Sequence, residues 1–210
     1  MSNPAPKRRT GGGWNKKLAV GKKQQFTMEQ VQLIRASLRA RGDPREMALF
    51  EVALTSLLRS VDLLKLSYGL VTSQDRVLTT FYVQQKKTKK PVKITLSDKA
   101  IAALEAYLAI RRAKNDVLRP ESGLWTKDGK SLKRLRYSQI IKGWAKLAYL
   151  DPRFYSTHSM RRTMAAHVFK STGNIEAVRK LLGHANLSMT GEYLGLEDTE
   201  AHDIKKQFEM

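Results

Sequence analysis

The sequence predicts an α+β fold that is mostly helical, with a small antiparallel β-sheet. Three observations carry this expectation. Apolar residues recur at helical spacing along most of the chain. Ser, Thr, Asp and Asn stand where those stretches begin, and Gly stands where several end. Two runs rich in β-branched and aromatic residues flank one basic turn, Lys86-Lys87-Thr88-Lys89-Lys90-Pro91.

Residues 1–25 carry Lys7, Arg8, Arg9, Lys16, Lys17, Lys22 and Lys23 and no acid, with Pro4, Pro6 and Gly11-Gly12-Gly13 breaking any periodicity. They are expected to form a flexible basic arm, either a DNA-ordered segment or a plain solubilising tail. Trp14 is out of place in such an arm and could dock or stack on a base. Thr27 is placed to cap a helix from Met28 to about Arg41, with Val31, Ile34 and Leu38 on one face. Gly42-Asp43-Pro44 ends it, and Met47–Leu58 is apolar almost all round, as a buried helix requires.

Ser60 reads as the cap of a short helix holding Asp62, Leu63 and Leu64. Val77–Val83 and Val92–Leu96 read as the two strands of the hairpin. Ser97 and Asp98 start a helix with Ile101, Leu104, Tyr107 and Leu108 inward. A basic loop over 113–134, with a short strand near Leu124-Trp125, leads into a helix over Tyr137–Leu147.

The 210 residues suffice for one domain with a sizeable core. Lys and Arg number 39 against 19 acids, a net charge of +20, which favours a polyanionic partner. Ribosomal, membrane-surface and DNA-binding proteins share that signature, so charge names no activity. Cysteine is absent, which excludes disulfides, thiolate metal sites and a Cys nucleophile. No run approaches the ~20 apolar residues of a membrane span, and the basic N-terminus lacks the apolar stretch of a secretory signal. The expectation is a cytoplasmic, nucleoid-associated protein without a membrane partner.

The last third concentrates chemistry. Ser156 or Thr157 can cap a helix ending near Gly173, whose apolar face is Met160, Met164, Ala165, Val168 and Phe169. Arg161 falls inside that face, and a buried arginine needs a carboxylate or a bound phosphate. His158 lies at its edge. Asn174 can cap the next helix and Gly183 can end it, so that His184 emerges from a fixed helix end. Asn186 can cap a last helix bearing Thr190 and Tyr193, which Gly191 weakens by roughly 1 kcal/mol. Taken alone, Tyr193 reads as a half-buried core aromatic.

His158-Ser159-Met160-Arg161, then Leu182-Gly183-His184, then Tyr193 nine residues on, resembles the tyrosine recombinases of the phage integrase family. Upstream, Ser56-Leu57-Leu58-Arg59-Ser60-Val61-Asp62-Leu63-Leu64 looks like that family's first arginine box, with Leu57 in place of its Gly and Asp62 in place of its Glu. Arg59, between two apolar segments, needs a partner of its own, for which Asp62 is the local candidate. Lys87 lines up with the family's hairpin lysine, with Lys86 as the competing register.

This resemblance implies a catalytic domain over 26–196 and a tail over 197–210 that docks on a neighbouring protomer. It implies catalytic roles for Arg59, Lys87, His158, Arg161, His184 and Tyr193, with no metal and no cofactor. Lys86, Lys89, Lys90, Lys127, Lys130, Lys133, Arg134, Arg136 and Arg162 would hold double-stranded DNA. Self-association on DNA, from dimer to tetramer synapse, is also implied. In place of the family's usual clamping domain of about a hundred residues, only the basic arm is expected ahead of the catalytic domain, a layout that resembles the single-domain recombinases of fimbrial switches. That layout leaves room for an accessory DNA-bending protein.

Overall fold

The structure, a computed structural model, describes residues 23–114, 118–127 and 129–195. Most of the basic arm, with Trp14, and the tail over 197–210 lie outside the described residues. The arm's last residues are tied down: the Gln24 amide donates to the Phe154 carbonyl at 2.8 Å, and Lys23 Nζ donates to the Arg153 carbonyl at 2.8 Å.

Helix α1 (Met28–Arg41) begins on a reciprocal cap. Thr27 Oγ1 accepts from the Gln30 amide, and Gln30 Oε1 accepts from the Thr27 amide. Helix α2 (Pro44–Thr55) starts before the predicted Met47, because Asp43 caps it and Pro44 suits its first position. It is buried from Ala48 to Leu54, as its all-round apolarity requires. It ends at Thr55 rather than Leu58, and Leu57 takes a left-handed φ of 50°. Helix α3 (Ser60–Leu63) has Arg59, not Ser60, at its cap position, without a side-chain bond. Helix α4 (Tyr68–Val71) follows.

Among the described residues the β-structure is three separate two-stranded antiparallel ribbons rather than one sheet. They are β1 (Thr72–Ser73) with β2 (Arg76–Val77), β3 (Thr80–Gln84) with β4 (Pro91–Thr95), and β5 (Thr126–Lys127) with β6 (Lys130–Ser131). The β3–β4 hairpin is the predicted one, with Phe81 opposite Ile94 and Val83 opposite Val92 on the buried face. Leu124 and Trp125 precede β5. Both are buried in the core, and Trp125 Nε1 donates to the Leu63 carbonyl at 2.8 Å.

Helix α5 (Asp98–Ala113), capped by Ser97, packs along α2. Helix α6 (Arg134–Leu147) begins three residues before the predicted Tyr137. Helices α7 (Ser159–Thr172), α8 (Ile175–Leu182) and α9 (Leu187–Leu194) complete the described chain. Asn174 and Asn186 cap α8 and α9, and Gly183 ends α8 in the left-handed region. His158, not Ser156 or Thr157, takes the cap position of α7.

Among the described residues two apolar clusters result. The main core joins α1, α2, α5, α6 and the hairpin. A smaller one gathers Leu57, Ala165, Val178 and Leu182, with Tyr193 and Leu194 packed against it. No described helix is long and apolar enough to cross a membrane.

Candidate active site

Arg59, Lys87, His158, Arg161, His184 and Tyr193 line one cavity of about 400 Å³, together with Arg162, Met189 and Glu192. The six predicted catalytic residues are therefore brought together from the α2–α3 junction, the hairpin turn and the three C-terminal helices. Lys86 faces a different hollow beside Asp62 and Lys65, so it is Lys87 that shares the cavity.

Arg59 is held from the hairpin and not by its sequence neighbour Asp62. Its Nη1 donates to Gln85 Oε1 at 2.6 Å. Asp62 instead accepts the Lys86 amide at 2.9 Å and so fixes the start of the turn. Its other oxygen is buried with no hydrogen-bond partner among the described residues.

Arg161 is 2% exposed on the buried side of α7. No carboxylate among the described residues pairs with it. Its Nη2 donates to the Leu182 carbonyl at 2.6 Å and stands 3.5 Å from His184 Nε2. That carbonyl lies at the C-terminal end of α8, where the helix dipole is negative. Arg161 Nη1, Arg162 Nε and the Tyr193 hydroxyl are all buried with no geometric hydrogen-bond partner among the described residues. Unpaired buried polar atoms are rare, and three beside one cavity leave polar groups available to a ligand there.

His184 is buried, with Nδ1 3.2 Å from the Thr190 hydroxyl. Thr190, wholly buried, donates its own proton to the Asn186 carbonyl at 3.4 Å. Nδ1 is then the protonated nitrogen and Nε2 accepts from Arg161. The ring meets Tyr193 edge-on at 5.4 Å. Arg161 and Arg162 both lie over the tyrosine ring, at 5.8 and 5.5 Å.

Burial first, and neighbouring charge second, set the titrations. Burial, then the neighbouring Arg161, Arg59 and Lys87, push His184 down to about 4. His158 also falls, through desolvation at the cavity mouth and then Arg161 and Arg134. Burial pulls Arg161 down to about 10, with Arg59 adding to the effect. The Tyr193 phenol is raised by burial, while Arg161 and Arg162 draw it back. The site thus holds a surplus of positive charge, the condition for anion binding.

The remaining predicted DNA-binding residues are not among those that line this cavity. Lys86, Lys89 and Lys90 are exposed on the hairpin turn. Lys127 and Lys130 lie on β5 and β6. Lys133, Arg134 and Arg136 are exposed at the start of α6, where their charge opposes the helix dipole and would be relieved by an anion. Sequence reasoning missed Gln85, although the two-residue alternation of Phe81 and Val83 extends to it and puts it on the buried face. It also missed the contact of the Thr190 hydroxyl with His184, for which the sequence carries no signal.

The phage integrase family model matches residues 24–200, and the chain belongs to that family. Among curated relatives, tyrosine recombinase XerC of Neisseria gonorrhoeae is 33% identical over 161 residues, 74% of this chain and 50% of that protein. Tyrosine recombinase XerD of Rickettsia conorii is 28% identical over 130 residues, 60% of this chain and 42% of that one. The chain thus spans about half the length of the curated relatives it matches. In fold it is similar to the XerA recombinase, with a TM-score of 0.71 at 20% identity over 90% of this chain and 66% of that one. It is also similar to XerH in its post-cleavage complex with palindromic difH substrate (TM-score 0.70, 18% identity, 90% of this chain and 55% of that one).

Proposed function

We propose that the chain is a site-specific DNA recombinase that cuts and rejoins strands through a covalent 3′-phosphotyrosyl intermediate. The observation that carries this reading is the set of three buried, unpaired polar atoms beside the cavity: Arg161 Nη1, Arg162 Nε and the Tyr193 hydroxyl. A phosphodiester supplies oxygens for the guanidinium groups and an electrophile for the phenol.

Tyr193 attacks the scissile phosphorus, forming a Tyr–O–P bond and breaking the bond to the 5′-oxygen. Arg59 and Arg161 hold the non-bridging oxygens and stabilise the charge that grows in the pentacoordinate transition state. His158 takes the phenol proton. Lys87 gives a proton to the departing 5′-oxygen. The phosphate anion raises His184 from its low value, so that the imidazolium donates through Nε2. Because the phosphotyrosyl bond keeps the energy of the broken one, a 5′-hydroxyl from a second strand can reverse the step without ATP. The partners of this reading are double-stranded DNA and further copies of the chain on it, with an accessory DNA-bending protein where the arrangement of sites demands one.

The test uses a nicked suicide duplex whose sequence the protein itself selects from random-sequence DNA. Incubation in EDTA should leave a covalent adduct with wild type and none with Tyr193→Phe. An adduct that persists in Tyr193→Phe, or none with wild type, would overturn the reading. A type IB topoisomerase would form the adduct but would not exchange strands between two sites.

A further inference from the structure

Gln85 is 1% exposed and bridges Arg59 to the end of α8. Its Oε1 accepts from Arg59 Nη1 at 2.6 Å and from the Thr88 hydroxyl at 2.9 Å. Its Nε2 donates to the Leu182 carbonyl at 3.3 Å, the same oxygen that Arg161 Nη2 grips. All three bonds fit one orientation of the amide, with both acceptor positions in use. The Gln85 backbone closes the turn as well: its amide donates to the Lys90 carbonyl and its carbonyl accepts from the Lys89 amide. Opposite it stands Gly183, where a Cβ would come 2.8 Å from Val92 Cγ2 and 3.0 Å from Gln85 Nε2. The close approach of the hairpin to the end of α8 therefore depends on the missing side chain.

We propose that Gln85 is a positioning residue that sets Arg59, the Lys87-bearing turn and the end of α8 in one register, so that phosphate grip and leaving-group protonation are aligned by one amide. The inference deepens the recombinase reading and rests on it for its kinetic part. A neutral amide is required. A carboxylate at this position would clamp Arg59 in a competing ion pair and set an oxygen against the Leu182 carbonyl. An apolar isostere would free both Arg59 and the turn.

The test compares Gln85→Met and Gln85→Glu in the full chain by two measurements. The first is amide hydrogen exchange over Lys86–Lys90, with α2 as internal standard. Gln85→Met should lower protection of the turn about 10-fold with α2 unchanged, and Gln85→Glu should leave the turn protected. The second is single-turnover adduct formation on the selected suicide duplex and on the same duplex with sulfur as the bridging 5′-atom, a leaving group that needs no proton. Gln85→Met should lose about 100-fold on the oxygen substrate and regain about 10-fold of that with sulfur. Gln85→Glu should lose equally on both, since its turn stays in place. Unchanged exchange in the turn, or rates for Gln85→Met within about 3-fold of wild type, would overturn the proposal. Absence of any wild-type adduct would instead sink the recombinase reading, while the exchange measurement still decides whether Gln85 holds the turn.

Discussion

The hydroxyl of Thr190 stands 3.2 Å from Nδ1 of His184, which ties the imidazole to the helix that carries Tyr193. Thr190 and Tyr193 are one turn apart on α9, so the histidine and the proposed nucleophile are set by one short element. Thr190→Val, nearly the same shape without the hydroxyl, should reduce adduct formation about 10- to 100-fold. Thr190→Ser should retain most of it. Single-turnover rates at saturating protein measure this, and equal rates for Val and Ser would show that the hydroxyl is idle.

Leu57 combines a left-handed φ of 50° with 6% exposure against Ala165, Val178 and Leu182. The conformation costs an L-residue roughly 1–2 kcal/mol, and the burial offsets it. Leu57→Ala should lose about 2–4 kcal/mol, because it gives up packing and keeps the strain. Leu57→Gly should be the less damaging of the two, by about 1 kcal/mol, because glycine takes this backbone freely. Urea midpoints settle the order, and Gly below Ala would contradict it.

Acid should destabilise the fold through His184. Its folded-state value of about 4 lies below the ordinary 6.5, so the unfolded chain binds the extra proton first. The contribution is fully present above about pH 6.5 and fades as pH falls towards about 4, amounting to about 3 kcal/mol at most. His158, also lowered, acts with the same sign. Melting temperatures between these limits should fall less steeply for His184→Gln than for wild type. Parallel slopes would remove His184 from the account.

Arg161 should be a stability liability kept for chemistry. It is buried without a carboxylate among the described residues, and its lowered value of about 10 records the cost of the charge. Arg161→Met should therefore gain about 1–3 kcal/mol in urea unfolding while abolishing the adduct. A clear loss of stability would mean that the bond to the Leu182 carbonyl outweighs the buried charge.

Much of this molecule was legible in its residues because the signals were local. Thr27, Ser97, Asn174 and Asn186 cap their helices as read, and Gly183 ends α8 with His184 beyond it. The buried position of Arg161 followed from helical phase, but its partner in the fold is the Leu182 carbonyl and not a carboxylate among the described residues. The rest depended on contacts between segments distant in sequence. Asp62 was the nearest acid to Arg59 along the chain, yet the hairpin folds in between and takes both, Arg59 by Gln85 and Asp62 by the Lys86 amide. The early end of α2 was hidden because apolar residues continue to Leu58, and only backbone conformation at Leu57 reveals the break.

The carbonyl of Leu182, shared by Arg161 and Gln85, has a consequence for robustness. It is a main-chain atom, so no side-chain replacement can delete it. The arginine keeps its anchor through any drift in sequence that leaves the last turn of α8 in place. Vulnerability shifts to Gly183, the next residue, whose lack of a side chain lets that turn end where it does. A single methyl group there would press on Val92 and the Gln85 amide and so displace the anchor without altering the arginine it holds.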